Sequence, residues 1–531
     1  MNHSFDLTKE NWIPCSRLEG GPVRDYSIRD VLVEAHLLRE IDDSSPLVTV
    51  SLLRLLLAIL SRSSGSLSMS EWVSLWNRNS FPDDGIDSYL DRWRDSFDLF
   101  HPERPFYQRG NFETINAAGQ VAKCYVLRLF AQAPDKNGKL LFDHHSYTDP
   151  PFFTPVEAAK ALIAYQTFCL GGGVSSAARI DGRVVARPNA ADGIAARGPN
   201  VWVAGDNLFQ TCMLNLGLME VNADDVPCWE RENPHEDMDV HGRPKISSGG
   251  LLDRLTWQSR LVRLIPEAYE NGIGVRAAYV TQGRSADTSS TDPLLCYFVN
   301  KKEGWSPVRL NEDKSAWRDA HSLLDLTHAG KLKPARGIGF AHRASRALGR
   351  KPGILSLHVV GLVSEPGQAK ITLWRHDRMP VPTVLLEDES LVDILSDGLK
   401  FAERVALSRF RRIRGVAEYM LAPNKDDPKA RQPDTKERER LAKLVDPRRA
   451  YWPRLEERFH SFLLKLAEDS QTALGEWRKD VGREARRAFD ESCEALGSGI
   501  RVRAAVAKES AARKAASDKR KREKERKGAH A

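Results

Sequence analysis

Thr154-Pro155-Val156-Glu157-Ala158-Ala159-Lys160-Ala161-Leu162-Ile163-Ala164-Tyr165-Gln166-Thr167-Phe168-Cys169-Leu170-Gly171-Gly172-Gly173 is a helix with its start and its stop written into it. Thr154 suits an N-cap, Pro155 suits the first helical position, and Glu157 sits where a capping box needs a carboxylate. The apolar stretch through Leu162, Ile163, Tyr165 and Phe168 follows. One glycine would end such a helix. Three in a row also strip side chains from the backbone, so another backbone, a phosphate or a nucleic-acid groove can come close. A C-cap with a loose turn is the other reading of the same residues.

Working outward, the 531-residue chain is too long for one core, and two to four domains are expected. With 41% hydrophobic and 28% charged residues it has the composition of a globular protein. The longest apolar candidate, Leu47 to Leu60, contains Ser51 and Arg54, so it reads as a buried helix rather than a membrane span. The start, Met1-Asn2-His3-Ser4-Phe5-Asp6, lacks a basic segment followed by an apolar one, which predicts no signal peptide. Seven singly placed cysteines, with no Cys-x-x-Cys pair, offer neither a zinc knuckle nor a redox motif and suit a cytoplasmic protein. The net charge of +7 is set by the tail: Arg501 to Ala531 holds twelve Lys/Arg and four Asp/Glu, so the remaining 500 residues sum to about −1. Such a tail contacts nucleic acid or an acidic partner, or is a solvated helix.

Helical spacing runs over Ser27–Ile41 and Pro46–Arg62, and Asp206 is expected to cap a helix to Met219. Val174–Asn200, rich in Gly, Ala, Arg and Pro, reads as surface loops. Pro134-Asp135-Lys136-Asn137-Gly138 is a turn. Ile354–Val363 is dense in β-branched residues, Ser364-Glu365-Pro366-Gly367 is a turn, and Gln368–Trp374 alternates polar with apolar. These predict a β-hairpin with Gly367, Gln368 and Ala369 near its tip. Helical patterns over Ser390–Met420, Thr435–Leu444, Trp452–Glu468 and Gln471–Leu496 read as an antiparallel bundle. The expected class is α+β, with a mixed domain over 1–380, a helical bundle over 388–500 and a basic tail over 501–531.

The candidate chemistry is sparse. Asp143, His144 and His145, with His376 and Asp377, allow the reading of a metal-dependent nuclease or phosphohydrolase. Adjacent histidines, however, point apart on a strand and need ligands from elsewhere to share an ion. No P-loop, Gly-x-Ser-x-Gly elbow or His-Glu-x-x-His motif occurs, which favours a binding role over an enzyme. Arg404, Arg409, Arg411 and Arg412 on the first bundle helix suit phosphate contact or ion pairs within the bundle.

Asn11-Trp12-Ile13-Pro14, His101-Pro102-Glu103-Arg104-Pro105-Phe106, Leu141-Phe142-Asp143-His144-His145, the triple glycine, the hairpin ending Arg375-His376-Asp377 and the terminal bundle occur in the order of one family. The chain resembles CasA, the large subunits of type I-E CRISPR Cascade complexes. The resemblance implies a non-catalytic subunit with no cofactor; some members carry paired cysteines in the middle region, this chain has none there, and no zinc site is carried over. Its implied partners are guide RNA, double-stranded target DNA, the other Cascade subunits (backbone, small and guide-end) and a recruited helicase–nuclease, with no membrane. It implies that Gly171, Gly172 and Gly173 form a glycine loop reading the target-adjacent motif, the PAM. Gln368, between Gly367 and Ala369, would be a wedge entering the duplex, and Phe142, Asp143 and His144 would face the guide-RNA handle. The family's minor-groove lysine has Gln282 or Arg284 as its nearest counterpart here.

Overall fold

The computed structural model describes the chain except residues 1–2, 131–150, 174–176, 186–188, 218–223, 232–244, 270–271, 288–290, 302–303, 325–330, 350–352, 365–370, 428 and 529–531. It divides into two compact units, Met1–Glu387 and Asp388–Ala531. The first mixes helices with small sheets and the second is helical, an α+β architecture.

The first unit is organised around the helix Pro46–Ser64, which packs against Pro155–Phe168. By length and apolarity Pro46–Ser64 could cross a membrane, but most of its side chains lie inside the unit. Ser51 and Arg54 do not interrupt it. Ser51 donates to its own Leu47 carbonyl at 2.8 Å. Arg54, 1% exposed, makes a two-pronged contact with buried Asp292 at 2.9 and 2.7 Å and donates to the Arg254 carbonyl at 2.6 Å. A buried charge is tolerated because its fork is met by a carboxylate and a carbonyl.

Two sheets matter for the site. One has strand order Cys124–Tyr125, Gly272–Gln282, Arg260–Tyr269, with the ladder slipping between Ile265 and Pro266, where proline has no N–H to give. The other pairs Asn200–Ala204 with Ile354–Ser364, and Ile354–Ser364 with Ile371–Pro382. This last pair is the anticipated hairpin, and its second strand continues to Pro382, past His376 and Asp377.

Three expectations need correction. The helix begun at Ser27 ends at Val33, and Leu38–Ile41 is a strand paired with Cys15–Arg17: tertiary pairing overrides the local period. The helix after the glycine region is capped by Asn207 rather than Asp206 and stops at Leu216, because Gly217 turns the chain at φ 67°. Finally, 174–200 is not all loop. Ala177–Ile180 and Arg183–Val185 form a hairpin through Asp181 and Gly182, whose φ values of 47° and 80° are those of a tight hairpin turn.

The second unit holds helices Glu389–Leu421, Thr435–Leu444, Arg448–Leu466, Ser470–Ala495 and Ile500–Gly528. Asp388, Asp434 and Asp469 each cap the helix that follows through the side chain. Trp477 lies flat on Phe462, with centroids 5.1 Å apart, and donates to the Gly398 carbonyl at 2.9 Å. A Cβ on Gly398 would sit 2.9 Å from the Phe462 ring, so glycine lets the helices approach.

Candidate nucleic-acid interface

The helix Pro155–Phe168 is closed at its start by a complete capping box between Thr154 and Glu157. Beyond it, Gly172 and Gly173 are not a loose turn. They form a short antiparallel pair with Ala190 and Asn189, the base of an arm whose outer hairpin pairs with Phe112–Ile115. Gly171 donates to the Asp192 carboxylate at 2.7 Å. A Cβ there would meet the Ala190 carbonyl at 2.9 Å, so the residue is small because the returning strand is close. Gly172 is exposed. The arm therefore offers one outward residue without a side chain, Gly172.

What holds the arm is a residue the sequence did not single out. Arg260, 4% exposed, donates to the carbonyls of Leu170 at 2.7 Å and Ala191 at 2.8 Å, one on each side of the arm, and to Ser259 at 2.8 Å. Its own backbone N–H is received by Gln166 at 2.8 Å, and Gln166 donates to the carbonyls of Tyr107 and Arg260. Gly193 donates to the Cys169 carbonyl at 2.6 Å, and a Cβ there would lie 2.5 Å from the Thr167 carbonyl. The capped helix, the arm and the strand Arg260–Tyr269 are thus tied at one junction. The arm's return strand leads on to Asn200, which starts the strand paired to the long hairpin and donates towards the Ala195 carbonyl at 3.2 Å.

Gln282 and Arg284 are turned inward, which corrects their assignment as groove contacts. They are 2% and 5% exposed. Arg284 grips buried Asp253 at 2.5 and 3.3 Å and lies 3.9 Å over Trp257, while Arg231 shares Asp253 at 2.6 Å. Freeing Arg284 would leave buried Asp253 with Arg231 as its one remaining ion-pair partner among the described residues.

Phe142, Asp143 and His144, with His145, and the tip residues Gly367, Gln368 and Ala369 lie outside the described residues. Both segments have described flanks. Phe130 and Phe153 stack at 4.5 Å across the ends of 131–150. The hairpin ladder holds in register up to Val363 opposite Leu373, then shifts by a residue before the tip.

His376 meets the ring of His358 at 3.1 Å, and Asp377 accepts from the Ala316 N–H at 2.7 Å, so the doublet's side chains have separate structural partners. Burial pushes Asp377 above the ordinary carboxylate value and both histidines below theirs. Among the described residues no three His, Cys, Asp or Glu side chains gather to hold a metal.

The basic candidates of the first bundle helix divide. Arg404 and Arg411 are exposed. Arg412 pairs with Glu509 at 3.2 Å and stacks on Phe489 at 4.0 Å. Arg409 is half-buried. Its charge is disfavoured first by burial and then by Arg412, Arg513 and Arg486.

Comparison with known proteins gives one answer. The chain matches the family described as CRISPR-associated protein Cse1 over residues 6–488. It is 32% identical over 513 residues to the CRISPR-associated protein CasA/Cse1 of Thermus thermophilus, covering 95% of each chain. The crystal structure of Thermus thermophilus CasA superposes with a TM-score of 0.77 at 28% identity, covering 96% of this chain and 98% of that one. That of Cse1 from Acidimicrobium ferrooxidans gives 0.73 at 26% identity, covering 96% and 99%.

Proposed function

The chain belongs to the CRISPR-associated Cse1 family, and from that premise we propose that it is the large subunit of a type I-E CRISPR RNA-guided complex. In this reading it works in the cytoplasm as a non-catalytic subunit. It recognises the PAM in duplex DNA, starts strand separation and helps recruit the helicase–nuclease. Base pairing with the guide RNA reads the rest of the target.

The observation that carries the reading is the clamped glycine arm. The minor groove is narrow and its code degenerate, so a backbone strand bare of side chains can enter where long side chains cannot. An arm that moved would lose that contact to ordering entropy, and Arg260 removes the freedom beforehand. Gly171, Gly172 and Gly173 are assigned the PAM contact. Gln368, flanked by Gly367 and Ala369, is assigned the wedge, supported on the long ladder of Ile354–Ser364 with Ile371–Pro382. Unstacking a base step costs a few kcal/mol, which a two-stranded ladder can resist. Phe142, Asp143 and His144 are assigned to the guide-RNA handle and the neighbouring subunit. Gln282 and Arg284 are given no DNA contact.

Permanganate reactivity of target thymines tests the reading in the assembled complex. A PAM-bearing duplex should open next to the PAM, and Gln368→Ala should slow that opening more than it weakens initial binding. Equal opening of duplexes with and without the PAM would overturn it.

A further inference from the structure

In the helical unit, four arginines line one open cleft of about 480 Å³. Arg409 and Arg412 come from Glu389–Leu421, Arg486 from Ser470–Ala495 and Arg513 from Ile500–Gly528, the last helix, which lies beyond the 6–488 range of the family match. Phe489 and Val506 form the apolar wall, and Asp490 is the one acid among the lining residues. Arg412 is largely spent: its Nε meets Glu509 at 3.2 and 3.4 Å, and its guanidinium is stacked on Phe489. Among the described residues Arg409, Arg486 and Arg513 have no ion pair, so three guanidinium groups face Asp490 alone.

What distinguishes the cleft is convergence: arginines from three helices share one acid. Several other arginines of the unit are each paired with an acid: Arg414 with Glu439, Arg438 with Glu418, Arg454 with Glu491, and Arg483 with Asp480. Here like charges are brought together, and each disfavours the charge on Arg409. An anion entering the cleft relieves that repulsion and receives planar forks suited to phosphate oxygens. The lining carries no asparagine or glutamine to read an adenine edge, and its arginines present forks suited to phosphate oxygens.

We propose that this cleft is a phosphate site that takes two neighbouring phosphates of a nucleic-acid backbone, without regard to sequence. The choice of a polynucleotide rests on the proposed function above; the anion chemistry rests on the arginines alone. The cleft positions the strand and leaves discrimination to the other unit.

The test uses the assembled complex carrying R486Q/R513Q, both exposed positions, with R486K/R513K as the charge-preserving control. Affinity for a matched duplex and for an unrelated oligonucleotide is measured across salt concentrations. Each phosphate contact contributes roughly 0.7–0.9 to the slope of log affinity against log salt. The glutamine pair should lower the slope by about 1.5 for both nucleic acids, the lysine pair should restore most of it, and the preference for PAM-bearing duplex should stay at wild type. An unchanged slope with wild-type PAM preference overturns the proposal and leaves PAM recognition standing. Lost PAM preference with an unchanged slope also overturns it, because the arginines would then act in discrimination. If inorganic phosphate binds the wild type but not the glutamine pair at matched ionic strength, while both show the same nucleic-acid slope, the site takes free phosphate and the backbone assignment fails.

Discussion

Arg260 donates to the carbonyl of Leu170 at 2.7 Å, the residue immediately before the three glycines. The same guanidinium holds Ala191 on the returning strand at 2.8 Å. One buried cation therefore fixes both sides of the arm. Arg260→Ala would leave the Leu170, Ala191 and Ser259 carbonyls without this donor and is expected to cost about 3 kcal/mol or more in denaturant unfolding, from ~1–3 kcal/mol per stranded polar group. Arg260→Lys, which has no fork, should recover only part of it. Limited proteolysis should cut first between 170 and 192 in the alanine variant.

Gly171 and Gly172 should fail differently. At Gly171 a Cβ meets the backbone carbonyl of Ala190 at 2.9 Å, and a backbone cannot swing aside. Gly171→Ala should lower the melting temperature as well as duplex affinity. Gly172 is exposed, so its substitution should spare stability. Thermal melts of the two variants side by side check the distinction.

The Arg54–Asp292 pair is buried on both sides, at 1% and 0% side-chain exposure. Removing one partner leaves an uncompensated buried charge, for which ~3–5 kcal/mol is expected. Asp292→Ala should show that loss in urea unfolding, and Arg54→Met with Asp292→Leu together should recover much of it.

His358 is held down to about 3, first by burial, then by Arg378 and His376. A histidine whose folded value lies below its unfolded value of 6.5 contributes fully above 6.5, and the contribution is lost as pH falls towards the folded value. Stability should therefore drop from about pH 6.5 towards pH 4, by up to ~1.4 kcal/mol per pH unit for one such proton. His376 shifts the same way and adds to it. His358→Gln should flatten the slope of melting temperature against pH over that range; an unchanged slope would rule out His358 as its source.

Local signals read well from the sequence. The Thr154–Glu157 box lies within one turn, and the long hairpin has alternation and a turn in one continuous stretch, so neither needs distant partners to be recognised. Arg260 could not be found that way: it is a lone arginine in a strand, and its partners lie 69 and 90 residues away. Arg284 misled for the same reason, since the acid that buries it is 31 residues upstream. The Asp181-Gly182 turn was legible by its dipeptide but was submerged in the loop-like composition of 174–200. Arg409 was visible as one of a helical row, yet only packing brings Arg486 and Arg513 to it.

The most direct test is the affinity of the assembled complex carrying Gly172→Asp for a PAM-bearing duplex, by gel shift at fixed salt. The substitution adds bulk and negative charge on exposed backbone. If the glycine arm makes the PAM contact, assembly stays intact while duplex binding weakens tenfold or more, on the order of 1.4 kcal/mol, and affinity for a PAM-less duplex changes little. Wild-type affinity for the PAM-bearing duplex in that variant would contradict the assignment.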